Sequence, residues 1–450
     1  MIRNLKPLRF CGKCSWYLLL VLLLSCQPDD EVKLDPEVVS LLSSLEQELA
    51  PLDNNPLVWS DDDLTFLDPI ADKPIIGLGE STHGTAEFFN AKRRIFRYLV
   101  EHHGYKVFAF EADFGESLFI EEAIQQGREG EIPQLMSEKM HFWTWRTREV
   151  QNLLQWMSEY NVGKPEEEKV HYMGVDCQFN TFHPELLEQY LLTANASFLT
   201  FAKEVLSEAK TASVNRFKEY SLEEFITYIG RVDALQDSMV SYQNFLVDAT
   251  SEREFALNMR IIRLTRQVSE VRYRNTIGDY SVNYRDKYMA ENTAWMLDYF
   301  EGEKVVLWAH NAHIADDPNY GSGSIGHYLL EDLPNDYSTV SFMFSKGDFT
   351  AVGYQNEQST GLKEHTIDEQ PQEESLIEVF HNTNSSAFTV GVNDLQKHTE
   401  WNDFFSEDTR YLSIGAVFNG EPENYYRNFH PGLYDRIIYF DATTASQTFR

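Results

Sequence analysis

The chain has 450 residues, 71 acidic and 38 basic side chains, and a formal net charge of -33 at pH 7. Such an acidic surface repels nucleic acid and has no attraction for anionic lipid, so both are excluded as general partners. Of its four cysteines, Cys11 and Cys14 lie in an N-terminal segment that we expect to be removed, and Cys26 is the expected lipidation site. Cys177 alone forms no internal disulfide framework, and a chain this long buries enough surface without one.

The first 25 residues have the pattern of a bacterial secretion signal. A basic segment precedes the apolar run Trp16–Leu24, which is too short for a membrane-spanning helix. The end of this run resembles the lipoprotein box, so we expect Cys26 to be lipidated and residues 26–40 to form an acidic tether. Acidic residues just after the cysteine resemble the export signal of Bacteroidetes surface lipoproteins. We therefore expect a cell-envelope protein, on the outer-membrane surface, that contacts the membrane only through its lipid anchor.

Short apolar runs alternate with segments of helical periodicity after the tether. The predicted strands are Pro74–Leu78, Val107–Phe110, Val170–Val175, Lys304–Trp308, Thr339–Phe344, Phe388–Val392, Tyr411–Ile414 and Arg436–Phe440. This alternation predicts an α/β fold over residues 41–450, with a mostly parallel sheet and helices on both faces. The later runs lie closer together, and some of them could be antiparallel edge strands.

The stretch from about residue 183 to residue 300 contains no convincing strand. It is rich in Leu, Glu, Lys, Ala and Gln, and it is far longer than an ordinary connection between strands. We predict an all-helical insertion that caps the functional site.

A glycine-rich turn, residues 77–84, follows the first predicted strand of this fold. The apolar residues after it recur with the spacing of an amphipathic helix. The turn therefore places Glu80 and His83 at the carboxyl end of a strand, where α/β sheets build their sites.

Three further strand ends carry an acid or an imidazole. Glu111 follows the second predicted strand, Asp176 the third, and His310 and His313 the fourth. Because the carboxyl ends of parallel strands open on the same edge, we expect these side chains to converge.

Such a cluster supports proton transfer. A neutral imidazole can take a proton from water while a carboxylate fixes its orientation. The helix start after Gly84, Lys92 or a second imidazole could stabilise a developing oxyanion. Ser81 is a poor nucleophile candidate, because a nucleophile elbow would require glycine at position 83.

Two other classes of function stay open. His83, His310, His313 and Glu80 could instead bind a divalent metal, giving a metal-dependent hydrolase or a metal- or haem-binding protein, although no HExxH motif is present. The cleft and cap could also hold a ligand without catalysis, as in a binding lipoprotein.

Several motifs, in this order along the chain, resemble the erythromycin esterase family, which includes proteins named for succinoglycan biosynthesis. The similar segments are Gly79–Phe89, Phe110–Asp113, Phe142–Arg146, Gly174–Gln178, Arg285–Asn292, Trp308–His313 and Phe440–Ser446. The resemblance implies a hydrolase that opens a macrolide lactone or another small-molecule ester, an activity associated with antibiotic resistance. It implies no cofactor, with a divalent metal as the alternative, and it leaves the oligomeric state open.

The resemblance also assigns roles to individual residues. His83 is implied as the base that activates water, with Glu80 and Glu111 positioning it and His310 and His313 completing the polar cluster. A cation follows the His motif in the family, and here Lys92, Arg93 and Arg94 all occupy that region. Arg285 is implied as an inward-facing cation, with a surface ion pair as the equal alternative.

Overall fold

The computed structural model describes residues 34–212, 221–356 and 358–449. The predicted signal peptide, Cys26 and most of the tether lie outside these ranges, and the first helix begins at Pro36, within the predicted tether. Among the described residues, we find no helix with the length and apolar character needed to span a membrane.

The strands and helices of the described residues account for most of this part of the chain. The strands are β1 Ala50–Pro51, β2 Ile75–Leu78, β3 Tyr105–Asp113, β4 His171–Asp176, β5 Lys304–Trp308, β6 Tyr337–Gln355, β7 Gln358–Ile367, β8 Ala387–Gly391, β9 Arg410–Leu412, β10 Val417–Phe418, β11 Tyr426–Asn428 and β12 Arg436–Thr443. The α-helices are α1 Pro36–Glu48, α2 Ala86–His103, α3 Phe114–Gln125, α4 Ile132–Lys139, α5 Arg148–Asn161, α6 His183–Thr193, α7 Leu199–Ala212, α8 Leu222–Ser241, α9 Gln243–Ala249, α10 Glu252–Thr276, α11 Tyr284–Tyr299, α12 Asn311–Ile314, α13 Ile325–Asp332, α14 Leu376–His381, α15 Val392–Leu395 and α16 Thr399–Ser406.

The main sheet is mixed, so the prediction of a mostly parallel sheet with some antiparallel edge strands is confirmed in part. Its order is β1-β8-β12-β6-β2-β5-β3-β4, with β7 and β10 also pairing with β6. The six neighbouring strands from β12 to β4 are parallel, whereas β8, β1 and β7 pair antiparallel. The predicted strand Tyr411–Ile414 corresponds to β9, which pairs only with β11 in a separate two-stranded sheet.

The central strands are covered on both faces. Every residue of β2 and of β4 is buried, and successive side chains of a strand point to opposite faces of the sheet. On one face, Phe88 of the predicted helix α2 packs against Phe342 and Phe440. Gly104 caps the carboxyl end of this helix in a left-handed conformation with φ of 71°.

The described residues of the predicted insertion, 183–212 and 221–300, contain helices α6 to α11 and no strand. Helices α10 and α11 pack together, and α11 also packs on β4 and β5. The last helix of the insertion therefore returns to the edge of the sheet where β4 and β5 end.

Gly84 fits between the turn after β2 and strand β6. Its carbonyl accepts the N–H groups of Thr350 and Ser446, and a Cβ atom at this position would lie 2.0 Å from the Thr350 carbonyl oxygen. We expect Gly84→Ala to lower the free energy of unfolding by about 1–3 kcal/mol in urea denaturation, because backbone must move to admit the methyl group. The matched control is Gly230→Ala in α8, where no atom lies within 4 Å of the added Cβ. This substitution should raise the free energy of unfolding by up to about 1 kcal/mol, because alanine favours the helix more than glycine does. Equal effects of the two substitutions would contradict this account.

Candidate active site

The centre of the site is the carboxylate of Glu80, which is fully buried and has three donors around it. His83 Nδ1 lies 2.7 Å from Oε1, while Lys92 Nζ and Trp308 Nε1 lie 2.5 and 2.6 Å from Oε2. A ring nitrogen that faces a carboxylate carries the hydrogen, so Nδ1 of His83 donates and Nε2 keeps its lone pair.

The turn that carries Glu80 is held by the neighbouring strands. Gly79 N–H donates to the Val340 carbonyl, and a side chain at Gly79 would collide with Asn311. The Ser81 hydroxyl donates to the Phe342 carbonyl and accepts from the Asn311 amide. Ser81 is therefore buried and fully engaged, which leaves it no part as a nucleophile.

Among the three neighbouring cations, Lys92 points toward the site. It is fully buried with its Nζ against Glu80 and 4.2 Å from the Trp308 ring centroid. Burial lowers the pKa of Lys92 to about 8, although Glu80 works in the opposite direction. Arg94 instead donates to the Trp59 carbonyl on the outer side of α2. Lys92 thus lies behind Glu80 and supports it, away from any oxyanion.

The helix start after Gly84 is also occupied. The N–H of Ala86, the first residue of α2, donates to the Thr444 carbonyl, and the Glu87 carboxylate accepts from the Thr444 N–H and hydroxyl. This end of the helix is therefore closed by the segment that follows β12.

Glu111, at the end of β3, forms the second buried carboxylate. Its Oε2 accepts the His310 N–H at 3.0 Å, and its Oε1 lies 2.7 Å from Arg285 Nη2 and 3.2 Å from His313 Nε2. Burial alone would raise the pKa of Glu111, but His313 and Arg285 outweigh it and hold that pKa well below its usual range. Glu111 is therefore an anion between two basic groups.

Arg285 enters the site from the first turn of α11. Its Nε and Nη2 lie 3.0 and 2.8 Å from the two carboxylate oxygens of Asp176, at the end of β4. Burial opposes its charge, but Asp176 and Glu111 raise the pKa of Arg285 well above its ordinary value. Arg285 therefore faces inward, as the first of the two alternatives from the sequence has it. Its ion pairs join the insertion to the ends of β3 and β4.

The two histidines after β5 differ in protonation. His310 Nδ1 accepts the Ala312 N–H at 3.2 Å, so Nε2 carries its hydrogen, and burial beside His83 holds the pKa of His310 well below the usual value. His313 Nδ1 lies 2.6 Å from Asp286, and that carboxylate with Glu111 raises the pKa of His313 well above its usual value despite burial. These opposite shifts favour a neutral imidazole at His310 and an imidazolium at His313.

The three histidines line one cavity of about 670 Å³. The His83 and His310 rings lie 5.2 Å apart, and the His83 side chain remains 14% exposed. The rest of the wall includes Tyr320, Tyr411, Ser413, Arg427 and Asn428. A second cavity of about 690 Å³ is lined by Arg285 and by residues of α10, and Gly321 borders both cavities. Residues that follow β2 and β5 thus line the first cavity, and residues that follow β4 line the second. Glu111 of β3 is joined to both sets through its contacts with His310 and Arg285.

Several residues of the site were not singled out from the sequence. Asp286 holds His313, and Trp308 binds Glu80 from the last position of β5. Asp286 could have been identified from the sequence, because it is adjacent to Arg285 in one of the segments that resemble the family. Tyr320 lies in an irregular segment and Arg427 in the short strand β11, and the sequence analysis had no signal for either residue.

The geometry does not provide a ready metal site among the three histidines and Glu80. Both oxygens of Glu80 and the Nδ1 of His83 already have protein partners. In the described ranges, sets of three ligand atoms within 4.8 Å of one another occur elsewhere, in Asp61–Glu101–His102 and in Asp113–Glu116–His141. These side chains therefore do not fit a bound metal in this arrangement.

Comparison with known proteins identifies the family. Residues 100–443 match the family model described as erythromycin esterase. The chain belongs to the erythromycin esterase family. The segment that carries Glu80 and His83 precedes the matched range, so the assignment of those two residues rests on the geometry described above.

Two curated relatives agree with this membership. The chain is 24% identical over 338 residues to erythromycin esterase type II of Escherichia coli, covering 69% of this chain and 78% of the relative. It is 22% identical over 293 residues to erythromycin esterase type I of the same species, covering 60% and 69%. Membership of this family supports a hydrolase.

Solved structures share the fold. A protein described as a succinoglycan biosynthesis protein superposes with a TM-score of 0.78 at 21% identity, covering 92% of this chain and 100% of that one. A mutant of the erythromycin esterase EreC, in its open conformation, gives a TM-score of 0.66 at 15% identity, covering 89% and 98%. The α/β fold with its helical segments is therefore common to these proteins.

The charge of His313 predicts a dependence of stability on pH. The pKa of His313 is raised in the folded protein. Its pair with Asp286 therefore adds fully to the free energy of unfolding below the pKa that His313 has in the unfolded chain. This contribution is lost as the pH rises through the pKa of His313 in the folded protein. We expect His313→Asn to lower the free energy of unfolding by about 3 kcal/mol near pH 6 and by less near pH 9, measured by urea denaturation. His398→Asn is the control, since His398 pairs with Glu48 away from the site and should cost less than about 1 kcal/mol at both values. A loss for His313→Asn that grows with pH would contradict the assignment.

Proposed function

We propose that this protein hydrolyses a small-molecule ester with a water molecule activated by His83. The observation that carries the proposal is the contact of 2.7 Å between His83 Nδ1 and the buried Glu80, with the His83 side chain lining an open cavity. A base held this way by a carboxylate suits proton abstraction near neutral pH.

The proposed reaction runs in two steps. Nε2 of His83 takes one proton from water as the water oxygen bonds to the ester carbonyl carbon, and the carbonyl electrons move to oxygen. The tetrahedral intermediate then breaks its bond to the alcohol oxygen, which receives the proton from the His83 imidazolium. The products are a carboxylic acid and an alcohol, or a hydroxy acid when the ester is a lactone. Glu80 stabilises the imidazolium between the steps.

Positive charge near the same cavity would stabilise the oxyanion. The His313 imidazolium lines the cavity, and Arg285 Nη1 lies 3.2 Å from His313 Nε2. His310 Nε2 lies 3.4 Å from the Ser81 carbonyl oxygen, which is a long contact, so its hydrogen could be donated to a substrate oxygen instead. Preorganised donors of this kind supply the largest share of catalysis in acyl transfer.

The two adjoining cavities favour a bulky or cyclic ester as the substrate. One cavity holds the histidines, while helices of the insertion line the other, so the insertion would contact the part of the substrate away from the scissile bond. A macrolide lactone is the substrate suggested by the named relatives. Anchoring through Cys26 would place the enzyme at the envelope, where it could intercept a drug or act on an ester of the cell.

The direct test is His83→Ala, assayed on macrolides and on simple aryl esters by mass spectrometry for the addition of water. We expect turnover to fall about 1000-fold because the general base is lost. The fold should persist, with a lower melting temperature because the buried Glu80 loses one of its three donors. His398→Ala, which removes a histidine outside the cavities, should keep the wild-type rate. A wild-type rate in His83→Ala would refute the role of His83.

Two further measurements separate the alternative functions. Activity that survives chelation and is not raised by added zinc supports the metal-independent mechanism. Loss on chelation and recovery with zinc would favour a metallohydrolase only if the variant that combines Asp113→Asn with Glu116→Gln, which alters the ligand set outside the active site, responds in the same way. If no ester is turned over but a macrolide raises the melting temperature, the protein is a binding lipoprotein instead.

A further inference from the structure

A second cluster of polar side chains lies beyond the active site, where β3 passes into α3. Asp113 and Glu116 belong to this junction, and His141 follows α4. One ligand atom from each of the three lies within 4.8 Å of the others. This spacing matches ligands placed at about 2.0–2.4 Å around a single ion.

The two carboxylates are fully buried, and each has one oxygen without a partner. Asp113 Oδ1 accepts the Glu116 N–H at 3.1 Å, and Glu116 Oε2 accepts from the N–H and from Nδ1 of His141 at 2.8 and 2.5 Å. Asp113 Oδ2 and Glu116 Oε1 make no hydrogen bond. Within the described residues, neither carboxylate forms a salt bridge with lysine or arginine. Buried charge of this kind requires compensation.

A fourth buried side chain lies next to this set. His183, the first residue of α6, is fully buried and its Nε2 has no partner. A Cβ atom at Gly115 would lie 3.1 Å from this nitrogen and 3.2 Å from Asp113 Oδ1, so both atoms border the space that the glycine leaves open. His183 lies outside the group of atoms within 4.8 Å of one another, but it adds a buried nitrogen without a partner beside the cluster.

We propose that Asp113, Glu116 and His141 bind one divalent cation, with zinc as the preferred ion and His183 beside the site. Imidazole and carboxylate groups are both ligands that zinc accepts, and three protein ligands leave a fourth position open. A buried water molecule could satisfy the free polar atoms, but only a cation or added protons can neutralise two carboxylates. Protons are the rival explanation, because burial raises the pKa of Glu116 to about 8 when no ion is bound.

The position of the cluster suggests a structural role. It joins the end of β3 to the loop after α4, and it lies beside His183 of α6, the first helix of the insertion. Asp113 also pairs in register with Asp176 of β4, whose carboxylate holds Arg285. A cation here would fix the loop after α4 to the edge of the sheet without touching the substrate, and the proposal does not depend on the proposed reaction.

The experiment uses the untagged full chain, with metal content measured by plasma mass spectrometry and the metal-free protein titrated with zinc chloride. We expect about one zinc ion per chain and a rise in melting temperature on adding zinc to the metal-free protein. The variant that combines Asp113→Asn with Glu116→Gln should hold less than about one tenth of that zinc and show no such rise.

Two controls locate the ion. His102→Asn alters the exposed Asp61–Glu101–His102 set and should keep the zinc, as should His83→Ala in the active site. Wild-type protein without zinc, whose melting temperature does not respond to zinc chloride, would overturn the proposal and leave the carboxylates neutralised by protons. Zinc retained by the double variant would overturn it as well. If that variant fails to fold, the titration of the wild-type protein decides.

Discussion

The buried carboxylate of Glu80 is the interaction on which the rest of the site depends. A carboxylate removed from water is costly unless its partners compensate it. Here the partners come from three elements: His83 from the same turn, Lys92 from α2 and Trp308 from β5. The requirement to satisfy this one group therefore fixes the turn, the inner face of α2 and the end of β5 together.

A second set of charges connects the sheet to the insertion. Arg285 binds Asp176 and Glu111, and Glu111 in turn accepts the backbone N–H of His310. The helix that closes the insertion is thus tied to the strand ends that present the histidines. Because these ion pairs are buried, loss of one partner would leave an uncompensated charge and displace the others.

Much of this arrangement could be predicted from the sequence, because apolar runs mark strands and strand ends mark sites. The segment Lys304–Trp308 has the same bounds in the structure, and the residues after it do reach the residues after β2. Strand β6 was predicted only for residues 339–344 but extends to Gln355, because polar Ser345–Asp348 resembles a turn. Strand β7 was missed because almost all of it is exposed and it has no apolar run.

Other features could not be predicted because they depend on tertiary contacts. The sequence offers three adjacent cations after the His motif, and only the packing of α2 shows that Lys92 faces Glu80. The cavity wall that contains Tyr320 and Arg427 combines an irregular segment with the short strand β11, which are distant along the chain. The closer spacing of the later runs did indicate antiparallel edge strands, but which strands pair, such as β1 with β8 and β8 with β12, depends on tertiary contacts.

The most direct test of the central claim is the tautomer of His83, read from nitrogen-15 NMR of histidine-labelled protein and assigned with His83→Ala. The account predicts hydrogen on Nδ1 and a free lone pair on Nε2 when the ring is neutral, with this preference lost in Glu80→Gln. Hydrogen on Nε2 in the wild-type protein, or a tautomer unaffected by Glu80→Gln, would contradict it.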